Sequence, residues 1–168
     1  TILRFSCMPE TFLKQGVVPR AYQLAIAESA LQRGNTLVVL PTGLGKTLIA
    51  FLLIGQKVGK GRVIFLAPTK PLVQQHHKTF LASTHFPEEE TALITGEIAP
   101  KKRKGLWVRR ACFSTPQSLQ NDIRAGRTDA ACSLCIIDEA HRSVGNYAYT
   151  FVAGQCARAG ALILGLTA

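Results

Sequence analysis

Two short segments, almost a hundred residues apart, carry side chains whose order suits chemistry on a phosphate. The first, Leu40-Pro41-Thr42-Gly43-Leu44-Gly45-Lys46-Thr47, directly follows the apolar run Leu37-Val38-Val39. The second, Asp138-Glu139-Ala140-His141, directly follows Leu134, Ile136 and Ile137. In the first, Gly43 and Gly45 can take positive φ and bring bare backbone N–H groups up to an anion. A helix starting near Lys46 would aim its N-terminal dipole at the same place. Lys46 supplies a point charge for the β- and γ-phosphates, and Thr47 a hydroxyl for Mg²⁺. The full G-x-x-x-x-G-K-[ST] pattern is not met, because Leu40 stands where its first glycine would be. In the second segment Asp138 can hold the Mg²⁺ shell while Glu139 takes a proton from the attacking water. A solvated acidic turn is the competing reading of that pair. With only ten Asp and Glu in 168 residues, two adjacent ones closing an apolar run are not background. Together the two segments predict an ATP- and Mg²⁺-using hydrolytic site, with Lys46, Asp138 and Glu139 as its catalytic residues.

Such a site needs strands to carry the segments and helices to back them. Strand-like runs fall at Leu37–Leu40, Val63–Ala67, Ala92–Thr95, Ala111–Ser114, Leu134–Ile137 and Ala161–Leu166. Helical patterns fill most gaps, at Tyr22–Arg33, Thr47–Val58, Pro71–Leu81, Pro116–Arg124 and Tyr147–Arg158, with Pro71 and Pro116 at favoured N-terminal positions. Strands alternating with helices predict an α/β domain, a mostly parallel sheet with helices on both faces. Ligands of such sheets gather at the carboxyl ends of the strands, where both segments sit. The length fits one unit, residues 1–168, with 1–18 as a lead-in.

These motifs resemble those of superfamily 2 helicases, which carry a P-T-G-x-G-K-T loop and a D-E-x-H box. Ala67-Pro68-Thr69-Lys70-Pro71-Leu72-Val73-Gln74-Gln75, Thr95-Gly96-Glu97, Ser114-Thr115-Pro116-Gln117 and Gly165-Leu166-Thr167-Ala168 follow the family's further motifs in order. Arg20-Ala21-Tyr22-Gln23 resembles its adenine-reading element. More narrowly, the loop, the Ala-Pro-Thr-Lys-Pro-Leu-Val run and Asp-Glu-Ala-His-Arg followed by Gly145-Asn146-Tyr147-Ala148-Tyr149 resemble the Hef, Fanconi anaemia group M and Mph-type branch of DNA translocases. The resemblance implies a RecA-like P-loop domain whose last strand lies between those of the loop and the carboxylate box. It implies ATP contacts from Arg20, Tyr22, Gln23 and Leu40 to Thr47. Nucleic-acid contacts would come from Pro68, Thr69, Lys70, Thr95, Gly96, Thr115, Pro116 and Gln117, small hydroxyls, an amide and helix N-termini that hold phosphates without reading bases. His141, with Thr167 and Ala168, would relay the state of the γ-phosphate. In this family a second RecA-like domain completes the site in cis, a nuclease domain can follow, and the substrate is branched or stalled-fork DNA in repair. The chain stops inside the last of these motifs. A double-stranded RNA translocase or sensor, and a module that binds ATP without hydrolysing it, are the alternatives.

Charge agrees with a polyanion partner. Twenty Lys and Arg against ten Asp and Glu give a net +10, with Lys101-Lys102-Arg103-Lys104, Arg109-Arg110, Arg124 and Arg127 clustered mid-chain. The Lys101–Lys104 run reads equally as a solvated charge run, and Pro100–Trp107 does not read as a core segment. Trp107 is expected to be a packing anchor. No apolar run approaches the roughly 20 residues that cross a bilayer, so no membrane is expected. Localisation would be cytoplasmic and nucleoid-associated in an archaeon, nuclear in a eukaryote. Cys7, Cys112, Cys132, Cys135 and Cys156 are odd in number and irregular in spacing, which is not a disulfide framework. Cys132 and Cys135, if both in the strand before Asp138, would point to opposite faces as small buried hydrophobes. The adjacent His76 and His77 read as ordinary packing residues, since a metal pair would want i,i+4 spacing or further ligands and neither His85 nor His141 shows such spacing.

Overall fold

A computed structural model describes residues 12–145 and 147–168; Cys7, Asn146 and most of the expected lead-in therefore lie outside the described residues. The elements follow in the order α1 (Ala21–Arg33), β1 (Thr36–Val39), α2 (Lys46–Lys57), β2 (Val63–Leu66), α3 (Lys70–Ser83), β3 (Thr91–Ile94), α4 (Pro100–Leu106), β4 (Ala111–Ser114), α5 (Pro116–Arg124), β5 (Leu134–Ile137), α6 (Tyr147–Arg158) and β6 (Leu162–Thr167). Among the described residues the six strands form one sheet in the order β1-β6-β5-β2-β4-β3, and every pairing is parallel. The last strand does lie between those of the loop and the carboxylate box.

Strand alternation sorts the core into two layers. Val38, Val63, Phe65, Phe113, Leu134, Ile136, Leu164 and Leu166 face one side and pack with residues of α1, α2 and α3. Ile64, Leu66, Cys112, Cys135 and Ile137 face the other, under Trp107, Leu119, Tyr149, Val152 and Cys156. The central strands β2, β4 and β5 are buried at all four positions, as strands covered on both faces must be. No described helix is long and apolar enough to cross a membrane.

Two expectations need correction. The Pro100–Trp107 stretch is not merely a solvated charge run: it forms the helix α4 and its C-cap, and Arg103 in the helix and Trp107 at the cap are buried at 5% and 2% exposure. These residues, one helical turn apart, reach the fully buried Asp122 of α5. Arg103 donates from Nε and Nη2 to both carboxylate oxygens at 2.8 Å, Trp107 Nε1 donates at 2.8 Å, and Arg127 Nε at 2.6 Å. Lys101, Lys102 and Lys104 stay in solvent. A basic run thus hides one cation that holds α4 to α5, because burying the arginine is tolerable only opposite a fully bonded carboxylate.

The second correction concerns the thiols. Cys132 precedes β5 rather than belonging to it, so it packs in the same layer as Cys135 and Cys156 instead of on the opposite face. The described cysteines are free thiols. Burial pushes the Cys112 thiol up to about 12, which suits an unreactive packing residue.

Burial alone would raise the Asp122 pKa, but the Arg103, Trp107 and Arg127 hydrogen bonds overcome it and hold the carboxyl at about 2, below its ordinary 3.8. A depressed folded-state pKa stabilises the fold fully above the unfolded value and loses that contribution as pH falls through the folded one. Urea-denaturation midpoints should therefore decline between about pH 4 and pH 2 through this group. Asp122→Ala should lose that acid-sensitive part and cost about 3–5 kcal/mol at neutral pH, since Arg103 is left buried and unpaired.

Candidate nucleotide and nucleic-acid site

The carboxyl ends of all six strands open on one edge of the sheet, and the backbone ladder continues past them. Leu40 N–H donates to Thr167 O at 3.0 Å, Asp138 N–H to Leu66 O at 2.8 Å, and Ala67 N–H to Ser114 O at 3.2 Å. These bonds set the phosphate loop beside the Thr167 segment, and the carboxylate box beside the start of the Pro68–Lys70 segment, along one edge.

Residues 40–47 leave β1 and enter α2 through Gly45, which caps the helix at φ 72° and ψ 37°; Gly43 also has a positive φ of 87°. The positive φ at Gly45 disfavours a side chain, and a Cβ there would also force the Gln23 side-chain amide to move. The loop from Pro41 to Gly45 is exposed, and Lys46 reaches back across it to donate from Nζ to Leu40 O at 2.6 Å. That carbonyl belongs to the residue standing where the motif's first glycine would be.

Tyr22 and Gln23, expected at the base, contact the loop itself. Tyr22 OH donates to Leu44 O at 2.6 Å, and Gln23 Nε2 to Leu44 O and Gly45 O at 3.3 and 3.2 Å. The Gln23 Oε1 accepts from Arg20 N–H at 2.8 Å, so the Arg20–Gln23 turn and the phosphate loop are one hydrogen-bonded unit. Sequence reasoning missed this bracing, for which the motif spacing alone holds no signal.

The carboxylate box has two environments. Asp138 is buried at 8% exposure, and its backbone carbonyl accepts from Tyr149 OH at 3.4 Å. Glu139 is partly exposed and has φ 53° and ψ 47°, the one non-glycine residue with positive φ among those described. Such a conformation in a residue with a full side chain costs on the order of 1–3 kcal/mol and recurs at functional sites. It turns the chain sharply after β5 and sends the two adjacent carboxylates in different directions. His141 Nδ1 lies 2.9 Å from Thr167 Oγ1 and 3.4 Å from Glu139 Oε2, and Thr167 Oγ1 donates to Ala168 O at 3.4 Å. The expected relay residues are thus in contact. Gly165 permits this approach, since a Cβ there would meet Ala140 Cβ at 3.3 Å and Leu37 Cδ1 at 2.8 Å.

The donor set fits a nucleoside triphosphate with Mg²⁺. The exposed N–H groups of a glycine-capped helix, a lysine in reach of them, the Thr47 hydroxyl one residue on and two carboxylates at the end of β5, one strand removed across β6, are hard donors for phosphate and a hard cation.

The eight residues expected at nucleic acid follow β2, β4 and β3, the other half of the same edge. Thr69, Gly96 and Gln117 are exposed; Pro68 and Thr115 are half-buried. Thr95 and Pro116 are buried, so they can shape this surface only through the backbone. Thr115 uses its hydroxyl as a cap, accepting from Ser118 N–H at 3.3 Å. Lys70 is ion-paired with Glu97. The two expected packing histidines differ from one another. His77 contacts Thr91 Oγ1 at 2.8 Å, its pKa lowered by burial against an opposing effect of Glu88. His76, by contrast, meets the site: its Nε2 lies 2.7 Å from Asp138 Oδ2.

Residues 16–168 match the family described as type III restriction enzyme, res subunit (ResIII). The ATP-dependent DNA helicase Fancm of Drosophila melanogaster is 44% identical over 145 residues, spanning 80% of this chain and 10% of its own length. The Arabidopsis thaliana FANCM protein, named as an ATP-dependent RNA helicase, is 45% identical over 143 residues, 82% of this chain and 11% of that protein. The crystal structure of the Pyrococcus furiosus Hef helicase domain superposes with a TM-score of 0.83 at 46% identity, covering 89% of this chain and 32% of that one. The chain thus spans about a tenth of the length of these two relatives and a third of the Hef helicase domain chain.

Lys46→Ala removes the one side-chain cation in the loop. It should weaken binding of a fluorescent ATP analogue by roughly 10–100-fold, the worth of a charge-assisted hydrogen bond. Fluorescence titration of both proteins measures it, and an unchanged dissociation constant would refute the loop assignment. Gly45→Ala should match it in effect.

Proposed function

Since the chain belongs to the ResIII family and folds as the first RecA-like domain of a superfamily 2 helicase, we propose that it is the ATP-binding half of an ATP-dependent DNA translocase acting on branched or fork DNA. The observation that carries this reading is the division of one sheet edge. Strands β1, β6 and β5 end in the phosphate loop, the Thr167 segment and the carboxylate box, while β2, β4 and β3 end in segments that expose Thr69, Gln117 and Gly96 and lead into helices. The DNA in this reading is supported by the name of the Drosophila relative and by the net charge of +10.

In this role the loop N–H groups and Lys46 bind and orient the triphosphate. Thr47 and Asp138 would hold Mg²⁺, which would supply neutralisation of the phosphate charge. Glu139, the more exposed carboxylate, accepts a proton from water at its side-chain oxygen. His141 senses that event, since its Nδ1 faces both Glu139 and Thr167. Thr69, Gly96 and Gln117 hold a strand's phosphates. A second RecA-like domain supplies the arginine that stabilises developing charge; in related nucleotide hydrolases such a residue is worth about 10³–10⁵ in rate.

The isolated chain should therefore bind DNA weakly, in a manner that salt abolishes, and hydrolyse ATP scarcely at all with DNA present. Joined in cis to the helicase domain that follows it in the parent protein, it should regain DNA-stimulated turnover by roughly 10³-fold or more. Robust DNA-stimulated hydrolysis by the 168 residues alone would overturn the half-site reading. Stimulation by double-stranded RNA but not by forked DNA would transfer the assignment to an RNA translocase, as the Arabidopsis relative's name suggests.

The carboxylates should also separate in the joined protein. Glu139→Gln should keep Mg²⁺-dependent nucleotide binding and lose turnover, because an amide cannot take the proton. Turnover at the parental rate would remove Glu139 from the role of base.

A further inference from the structure

His76 sits on the buried stripe of α3 with Val73 and Phe80, facing the sheet. Its ring centroid is 4.7 Å from that of Phe65, and the residue is 9% exposed. An imidazole in an apolar stripe needs a partner for its ring N–H, and this one finds Asp138 Oδ2 at 2.7 Å. A carboxylate only accepts, so His76 Nε2 carries the proton. Asp138 is thereby held at three points: its N–H on Leu66 O, its carbonyl under Tyr149 OH and one carboxylate oxygen on His76. Its Oδ1 has no protein hydrogen bond shown among the described residues.

We propose that His76 is the positioning residue of the Mg²⁺ site: it fixes the Asp138 carboxylate through Oδ2 and leaves Oδ1 turned to the cation. The inference rests on the reading of Asp138 as a metal-holding residue. Its physical basis is preorganisation. A short carboxylate on a strand end can rotate about its side-chain torsions, and a hydrogen bond to one oxygen removes that freedom before the cation arrives. Partners that orient a ligating group are commonly worth 10–100-fold in metal affinity. Neither Phe65 nor Val73 can replace the donor, and His77, the neighbouring imidazole, is turned to Thr91. The same helix begins at Lys70, beside Thr69, so the carboxylate is tied directly to the element that presents those residues at the sheet edge.

The test uses the full chain, a fluorescent ATP analogue and Mg²⁺, with variants His76→Leu, His76→Gln and Asp138→Asn. Leucine keeps apolar volume against Phe65 but donates nothing; glutamine can again donate to Oδ2. The readout is the Mg²⁺ concentration that half-saturates the Mg²⁺-dependent gain in nucleotide affinity, alongside affinity in EDTA and the thermal midpoint without nucleotide. His76→Leu should raise the half-saturating Mg²⁺ by roughly 10–100-fold and leave the EDTA affinity unchanged, with His76→Gln recovering most of the loss. An unchanged Mg²⁺ requirement in a folded His76→Leu protein, or no recovery with glutamine, would overturn the proposal. If His76→Leu does not fold, His76→Phe takes its place, since it also donates nothing but keeps a ring against Phe65; an unaltered Mg²⁺ requirement in that folded variant would overturn the proposal. Asp138→Asn separates the two readings. If it does not shift the Mg²⁺ requirement, the metal assignment itself fails; if it does and His76→Leu does not, only the role of His76 fails.

Discussion

Asp138 lies one residue beyond β5, yet its N–H is still hydrogen-bonded to Leu66 O at 2.8 Å, and the whole edge depends on that kind of bond. A parallel sheet points every strand's carboxyl end the same way, so segments that leave consecutive strands must emerge side by side. Leu40 is fixed to Thr167, and Asp138 to Leu66, by extension of the same ladder. The geometry of this edge is therefore the last rung of the sheet rather than an assembly of free loops. Anything that slipped β5 against β2 by one residue would turn Asp138 to the other face.

The loops beyond those rungs are then constrained by local chemistry. Gly45 can take φ 72° and closely approach the Gln23 amide because it lacks a side chain. Glu139 takes a comparable conformation with its side chain present, φ 53°, and bears the strain to part the two carboxylates. One result is an Asp138 oriented by the buried His76 and a Glu139 open toward solvent. Two chemically similar groups acquire different environments from a single backbone turn, which is what separate metal-binding and proton-accepting roles require.

Away from this edge, the other layer is organised by a buried charge. Asp122 accepts from Arg103, Trp107 and Arg127 and so joins α4, α5 and the turn after α5. The arrangement lets a strongly basic segment leave Lys101, Lys102 and Lys104 in solvent while its fourth cation anchors the helix. The surface charge and the core contact come from the same four residues.

The sequence by itself determined the strand and helix alternation, the parallel sheet and the two chemical segments, because these depend on local periodicity and on glycine, lysine and carboxylate spacing. Five of the six helices and all six strands lie within a residue or two of the positions those patterns indicate. The tertiary structure decided what depends on side chains distant in sequence. The Arg103–Asp122 pair spans 19 residues and the His76–Asp138 contact 62, and no local pattern distinguishes a buried cation from a solvated one, or a histidine that packs from one that donates. Tyr22 and Gln23 likewise brace Leu44 and Gly45 across more than twenty residues. Hydrogen bonds of this kind form only after the strands have fixed which elements are neighbours, which is why the composition of the site was written in the chain and its preorganisation was not.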